Sequence, residues 1–344
     1  MWLKKEVSGC NRSSKGMRQG NYDRIRSVRI VRVEEEALQK WAEFNRRKWN
    51  CKAELMTFRA EGTEAECTSL FFMNRSGKLF LPPLNYYNHV VFKPTPTSKN
   101  YKLTRQWLRV AEQMTLEMTN KGCTVDFVFP PEINDVRPWR WANYQLGVKY
   151  SYRIKLPYED SASDTTVRKR IEKANALGYV SRQADRMEDV HVCLIETAKR
   201  KGFKQDLTVE DLELMRSILG DDIFKAYVCY SKDGEPVSAS VELVLSKECA
   251  LGLMLGTKKE HLQSGVAYQM TAFMLQDMAA LGVEQYDFCG ANIPSVAESK
   301  SKWGAELVPY FTVRKRSFKD WLREARSLLY SLSAVSSLVG LEVL

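Results

Sequence analysis

Residues 225–245 read Lys225-Ala226-Tyr227-Val228-Cys229-Tyr230, then Ser231-Lys232-Asp233-Gly234-Glu235-Pro236, then Val237-Ser238-Ala239-Ser240-Val241-Glu242-Leu243-Val244-Leu245. Two β-prone runs flank a segment in which Gly234 supplies a positive φ and Pro236 removes a ladder donor, so the stretch predicts a hairpin of strands Lys225–Tyr230 and Val237–Leu245. Ala250–Leu255 reads as a third strand after a short turn. A loop (Gly256–Ser264), a helix (Gly265–Leu281), a strand (Glu284–Phe288), a short helix (Pro294–Lys302) and a last strand (Leu307–Arg314) complete the order. Meander, loop, long helix, strand predicts an α+β (mixed α/β) fold, with a mostly antiparallel sheet flanked by helices.

Working outward, Thr165–Leu177 reads as a basic helix, and Asp185–Lys201 and Thr208–Leu219 as two more. Nearer the N-terminus, a helix is predicted over Glu34–Lys48 and strands over Ile25–Val33, Ala53–Phe58, Ser69–Met73 and Lys78–Leu81. Pro82-Pro83-Leu84-Asn85-Tyr86-Tyr87 and Pro94-Thr95-Pro96-Thr97 read as loop, because proline cannot donate to a ladder. Tyr101–Asn120 reads as a helix and Thr124–Phe129 as a buried strand. Residues 1–24, rich in Ser, Gly, Asn, Lys and Arg, read as a disordered basic lead-in. From Ser317 onward, Phe318, Trp321, Leu322, Ala325, Leu328, Leu329, Leu332 and Val335 form one stripe of an amphipathic helix. That helix suits packing on its own domain or a partner, or peripheral contact with a membrane.

The two halves echo each other. Lys121-Gly122-Cys123-Thr124-Val125-Asp126-Phe127 matches Leu281-Gly282-Val283-Glu284-Gln285-Tyr286-Asp287-Phe288, each after a helix. A tryptophan (Trp141, Trp303) and a Tyr-rich strand (Tyr150–Ile154, Tyr310–Val313) follow in both. Two similar domains side by side are predicted, over 25–150 and 151–316, with 317–344 as the terminal helix. A chain of 344 residues has room for two domains of roughly 100–200 residues each.

The net charge of +10 suits an anionic partner such as nucleotide phosphate, RNA or an anionic membrane surface, solubility charge being the alternative. The eight cysteines contain no C-x-x-C pair, and the three histidines, His89, His191 and His261, share no ligand spacing, so no metal site is expected. Met1-Trp2-Leu3-Lys4-Lys5-Glu6 lacks the apolar region of an export signal, which leads us to expect reduced thiols and a cytoplasmic protein, peripheral to a membrane if the terminal helix binds one.

The stretch Tyr286-Asp287-Phe288-Cys289-Gly290, followed by Lys300-Ser301-Lys302-Trp303-Gly304-Ala305-Glu306-Leu307-Val308-Pro309-Tyr310, resembles the FemAB-like branch of the GNAT acyltransferase superfamily. That branch has an aspartate-bearing strand ending in glycine and a Phe-Lys-x-x-Phe-Gly-like helix end, here matched by Asp287, Gly290, Lys300, Trp303 and Gly304. Ser299 stands where an aromatic residue is common. The resemblance covers about residues 25–316, is closer in the second half, and implies tandem GNAT-like domains.

The resemblance implies transfer of an acyl or aminoacyl group from acyl-CoA or aminoacyl-tRNA, as co-substrate rather than tightly bound cofactor, to an amine on a small molecule or cell-envelope precursor. Such chemistry needs a donor-phosphate site, oxyanion stabilisation and a base. Backbone N–H groups at a helix start suit phosphate, which points to Gln263, Ser264, Gly265, Val266 and Ala267; a plain N-cap at Ser264-Gly265 is the alternative. Leu262 replaces the Gln or Arg that CoA-binding members often carry, shifting weight from an acyl-CoA donor toward an aminoacyl donor or no donor. Lys300, by the resemblance, faces the donor carbonyl or phosphate, against a solvated lysine. Asp287 orients the amine, acts as base or caps a turn; Glu242, in an apolar strand, faces the cleft or solvent; Tyr310 donates a proton to the leaving group or packs in the core. Trp139-Arg140-Trp141 lines an acceptor channel or packs as a linker. The competing function is a non-catalytic tandem-GNAT scaffold on RNA or an anionic membrane.

Overall fold

The computed structural model describes residues 35–316. The predicted lead-in, the strand Ile25–Val33 and the terminal helix lie outside the described residues. The chain runs α1 (Glu35–Trp49), β1 (Lys52–Arg59), β2 (Glu66–Met73), β3 (Val90–Lys93), α2 (Asn100–Asn120), β4 (Phe127–Val128), α3 (Arg137–Trp141) and β5 (Tyr144–Lys155). It continues α4 (Thr165–Ala176), β6 (Val180–Gln183), α5 (Met187–Lys201), α6 (Val209–Leu219), β7 (Phe224–Tyr230), β8 (Pro236–Leu243), β9 (Ala250–Thr257), α7 (Val266–Ala280), β10 (Gln285–Asp287), α8 (Pro294–Ser301) and β11 (Glu306–Lys315). The fold is mixed α+β, as the sequence predicts.

β1–β2–β3 form a small antiparallel sheet. The other strands form one sheet in the order β4-β11-β5-β10-β9-β8-β7-β6, antiparallel except for the pair β9 and β10. β5 runs without a break across residues 150 and 151, and pairs with β11 over its whole length from Tyr144↔Lys315 to Arg153↔Glu306. β7 is buried along its entire length because helices cover both faces. On one face α1, α5 and α6 bring Trp41, Phe44, Leu194, Leu212 and Met215 against Ala239, Val241 and Leu243. On the other, Val167 of α4 and Met270, Met274 and Met278 of α7 cover Tyr227, Cys229 and Val237. A further core joins the small sheet to α2 and α3 through Phe71, Phe92, Trp107, Phe129 and Trp139.

Local chemistry fixes the boundaries. Thr208 and Asp211 form a reciprocal capping box at α6, and Lys48 of α1 reaches the same Asp211 at 2.5 Å. The paired sequences after α2 and α7 make the same helix end. The amides of Lys121, Gly122 and Cys123 bond to the carbonyls of Glu117, Thr119 and Met118, and those of Leu281, Gly282 and Val283 to Asp277, Ala279 and Met278. Both glycines have a positive φ, 67° and 78°. The echo weakens further on: Trp303 is buried against Tyr268, whereas Trp141 is 65% exposed under Arg137.

Four expectations are corrected. Lys78–Leu81 forms only a single bridge, Met73↔Leu79, because Asn74 Oδ1 accepts from the amides of Ser76 and Lys78 and turns the chain. The third strand of the small sheet is β3, a four-residue run not foreseen, which lies between the two proline-bearing segments read as loop. The strand predicted over Thr124–Phe129 shrinks to two residues at the sheet edge. β6 and α3, neither foreseen, are too short to show a period.

Candidate active site

β9 and β10 pair only at Ala250↔Tyr286 and Leu251↔Asp287. β9 then runs on to Thr257, while the chain beyond Asp287 stays with β5 through Phe288 N–H to Tyr152 O and Ala291 N–H to Tyr150 O. The strands therefore part in a wedge. The β8–β9 register gives Val241↔Met254 and Glu242↔Gly252, which leaves Leu253 as a bulged residue on one lip of the wedge. The Leu253 carbonyl accepts from the Tyr86 phenol at 3.2 Å. The next residue, Tyr87, donates to Asp287 Oδ2 at 3.0 Å on the other lip. Asn85 anchors this loop to α1: its Oδ1 accepts from Trp41 Nε1 and its Nδ2 donates to Asn45 Oδ1, both at 2.8 Å.

Asp287 is 0% exposed. Oδ1 accepts from the Ser151 hydroxyl and the Cys289 amide, and Oδ2 from Tyr87 and, at 2.8 Å, Arg153 Nε. Four donors fill the four lone-pair directions of a carboxylate, so Asp287 organises the floor of the wedge and offers no free oxygen. Arg153 also pairs with Glu132. Beneath lies a cavity of about 50 Å³ whose lining includes His89, Glu132, Arg153 and Cys249. Burial pushes the His89 imidazole down to about 4, so it stays neutral.

Lys300 is equally committed. Its ammonium donates to the carbonyls of Phe288, Cys289 and Gly290 at 2.6, 2.9 and 2.7 Å, using all three protons. The carbonyls converge because Cys289 (φ 53°) and Gly290 (φ 86°) turn left-handed. Burial, opposed by the nearby Cys289 and Asp287, lowers the pKa of Lys300. The rest of its motif is packing. Trp303 stacks on Tyr268, and Gly304 passes so close to α4's leading loop that a Cβ would sit 2.2 Å from Ala162 O.

Glu242 lies on the opposite face, under α7, at 1% exposure. Its Oε2 accepts from Tyr286 Oη at 2.8 Å, a bond that crosses β9 only because residue 252 is glycine; a Cβ there would lie 2.2 Å from the phenol oxygen. Burial pushes the carboxyl up to about 7, against the opposing Tyr286 hydrogen bond. Tyr310 packs edge-on against Tyr87 at 5.1 Å, and its hydroxyl accepts from Asn292 Nδ2 at 3.3 Å. Burial raises its pKa.

β9 leads through residues 258–265 into α7, so that helix starts beyond the open end of the wedge. Gly265 is the cap residue, at φ 89°, and the Ser264 hydroxyl bonds instead to His261 O. A Cβ at 265 would meet Arg170 O of α4 at 2.1 Å. Arg170 Nη1 and Lys173 Nζ both reach Gln263 O, at 2.6 and 2.9 Å, which draws two cations to the helix start. Geometry leaves the amides of Val266 and Ala267 without intrahelical acceptors. Positive charge, free N–H groups and the helix dipole coincide there, as an anion requires.

Asp287 thus stands on one lip of the wedge, Lys300 holds the carbonyls that follow it and Tyr310 reaches it through Tyr87, whereas Glu242 is buried on the opposite face and 263–267 joins β9 to α7. Trp139 is core, on Phe129 at 4.6 Å. Sequence reasoning missed Tyr86, Tyr87, Glu132, Ser151 and Arg153. The tyrosines stand in a segment read only as loop, and Ser151 and Arg153 in a strand noted only for its tyrosines.

No family model matches the chain, and no curated relative matches it. Solved structures do. FemX superposes at a TM-score of 0.57 with 12% identity, over 83% of this chain and 93% of that one. The C-terminal domain of a putative lysylphosphatidylglycerol synthetase from Agrobacterium fabrum gives 0.54 with 10% identity, over 86% and 95%. L-PGS from Bacillus licheniformis gives 0.53 with 12% identity, over 83% and 94%. The chain shares its fold with these three structures.

Proposed function

We propose that the protein transfers an acyl or aminoacyl group from an activated donor to an amine, with the donor carbonyl in the β9–β10 wedge. The observation that carries this is Glu242, a buried carboxyl raised to about 7 next to the bulged lip of the wedge. A general base works best with a pKa near the operating pH. The amine nitrogen attacks the carbonyl carbon, Glu242 takes the proton that the nitrogen loses, and the protonated carboxyl returns it to the leaving thiol or hydroxyl. The phosphates of the donor sit on the amides of Val266 and Ala267, beside Arg170 and Lys173. Asp287, Lys300 and the Tyr86–Tyr87 pair hold the two lips apart. Leu262 and the likeness to lysylphosphatidylglycerol synthetases favour an aminoacyl-tRNA donor and a cell-envelope acceptor. Among the described residues no helix is long and apolar enough to cross a membrane.

Binding tests it. An acyl-CoA or a charged tRNA raises the melting temperature of the purified chain; if neither does, the transferase reading fails.

One observation favours a second reading. Both Asp287 and Lys300 spend every hydrogen-bonding position on the protein itself. A non-catalytic scaffold that keeps the fold would look the same at these two residues. It predicts donor binding without turnover, or no binding at all.

A further inference from the structure

The small sheet has a groove of its own. It is about 720 Å³ in volume and is walled by the β1–β2 turn (Gly62, Thr63, Glu64), by Thr95 just after β3, and by Tyr101, Lys102, Arg105, Gln106 and Arg109 of α2. β1–β2–β3–α2–β4 repeats the order β7–β8–β9–α7–β10, down to the shared glycine helix end. The groove therefore stands, relative to α2, where the open end of the wedge stands relative to α7.

Its chemistry is that of an anion site. Lys102, Arg105 and Arg109 share one face of α2, and Glu64 is the single acid in the lining. Among the described residues Lys102 and Arg105 have no ion-pair partner, while Arg109 is steadied by its bond to Glu61 O at 3.2 Å. The first turn of α2 carries no acidic residue to offset its dipole, and Lys102 adds a charge of the disfavoured sign there. That arrangement costs stability in the absence of an anion. The floor is built: Gln106 grips Thr95 through both backbone groups, Thr95 N to Gln106 Oε1 at 2.8 Å and Gln106 Nε2 to Thr95 O at 3.2 Å. Held this way, the Thr95 hydroxyl is buried and has no hydrogen-bond partner. A buried orphan hydroxyl is costly unless something meets it. Tyr101, 64% exposed, adds an aromatic face to the wall.

We propose that this groove binds a phosphate-bearing ligand, with Lys102, Arg105 and Arg109 on the phosphate oxygens and the Thr95 hydroxyl donating to one of them. Three cations against one acid select a multiply charged anion, and a 720 Å³ groove holds more than an inorganic ion. The phosphate belongs to a free nucleoside diphosphate or to an RNA strand, and the test separates these.

The full chain is titrated with ADP by calorimetry and with a labelled twelve-nucleotide RNA by anisotropy, for wild type, Lys102→Glu/Arg105→Glu and Thr95→Val. Binding of at least one probe is expected, weakened at least ten-fold by the double charge reversal and several-fold by Thr95→Val. ADP binding assigns a free nucleotide; RNA binding alone assigns the polymer. Thr95→Val melts no lower than wild type, so its loss of affinity is not misfolding. The proposal is overturned if neither probe binds, or if the double variant binds both as wild type does.

Discussion

Tyr87 donates to Asp287 across 3.0 Å, linking the loop before β3 to the last residue of β10, 200 positions later in the chain. With Tyr86 on Leu253 O, two consecutive residues hold the two lips of the wedge. Removing one donor from a satisfied buried carboxylate differs from removing the carboxylate. Tyr87→Phe should cost about 1–2 kcal/mol. Asp287→Ala, which leaves Arg153 buried with only Glu132, should cost about 3–5 kcal/mol. Urea unfolding midpoints measure both, and equal losses would contradict the hub role of Asp287.

Two buried groups make opposing contributions to the dependence of stability on pH. Glu242 is raised from 4.5 to about 7, so its contribution is full below pH 4.5 and is lost as pH rises through 7. His89 is lowered from 6.5 to about 4, so its contribution is full above pH 6.5 and is lost as pH falls toward 4. Each is on the order of 3 kcal/mol. The contributions of these two groups therefore oppose each other between pH 4.5 and 6.5. Glu242→Gln should tilt the curve upward with pH and His89→Gln downward, as read from urea midpoints across that range.

Gly252 lets the Tyr286–Glu242 bond cross β9. Gly252→Ala should destabilise the fold by about 2–3 kcal/mol through overpacking. Adding Tyr286→Phe removes the obstructing oxygen and should recover part of the loss. A double variant no more stable than the single one would show that the clash lies elsewhere.

Lys300→Met strips three converging carbonyls of their donors and should cost about 3 kcal/mol, with faster hydrogen exchange in α8 and residues 288–290. A merely solvated lysine would leave both readouts unchanged.

The order of elements from Phe224 to Lys315 was legible because hairpin chemistry and long periodic helices are local signals. The Asp287-to-Gly304 pattern was legible only through its resemblance to the FemAB-like branch, and its lysine is occupied by backbone carbonyls. Elements of two to five residues, β4, β6 and α3, carry no period to read. β3 hid between prolines. The wedge itself was invisible, since it depends on Tyr86 and Tyr87 meeting Leu253 and Asp287 across long stretches of chain. Nor does sequence reveal a gap in β-pairing: the bulge at Leu253 appears only once Glu242 is seen opposite Gly252.

The proposed role of Glu242 as the base at the β9–β10 wedge is tested by turnover. Turnover by wild type and Glu242→Gln should be compared from pH 5 to 9, with acyl-CoA and with aminoacyl-tRNA as donors to an amine. The wild-type rate should rise through about pH 7, and the variant should still bind donor but turn over roughly 100-fold more slowly or less. A variant with the wild-type rate and pH profile would contradict it.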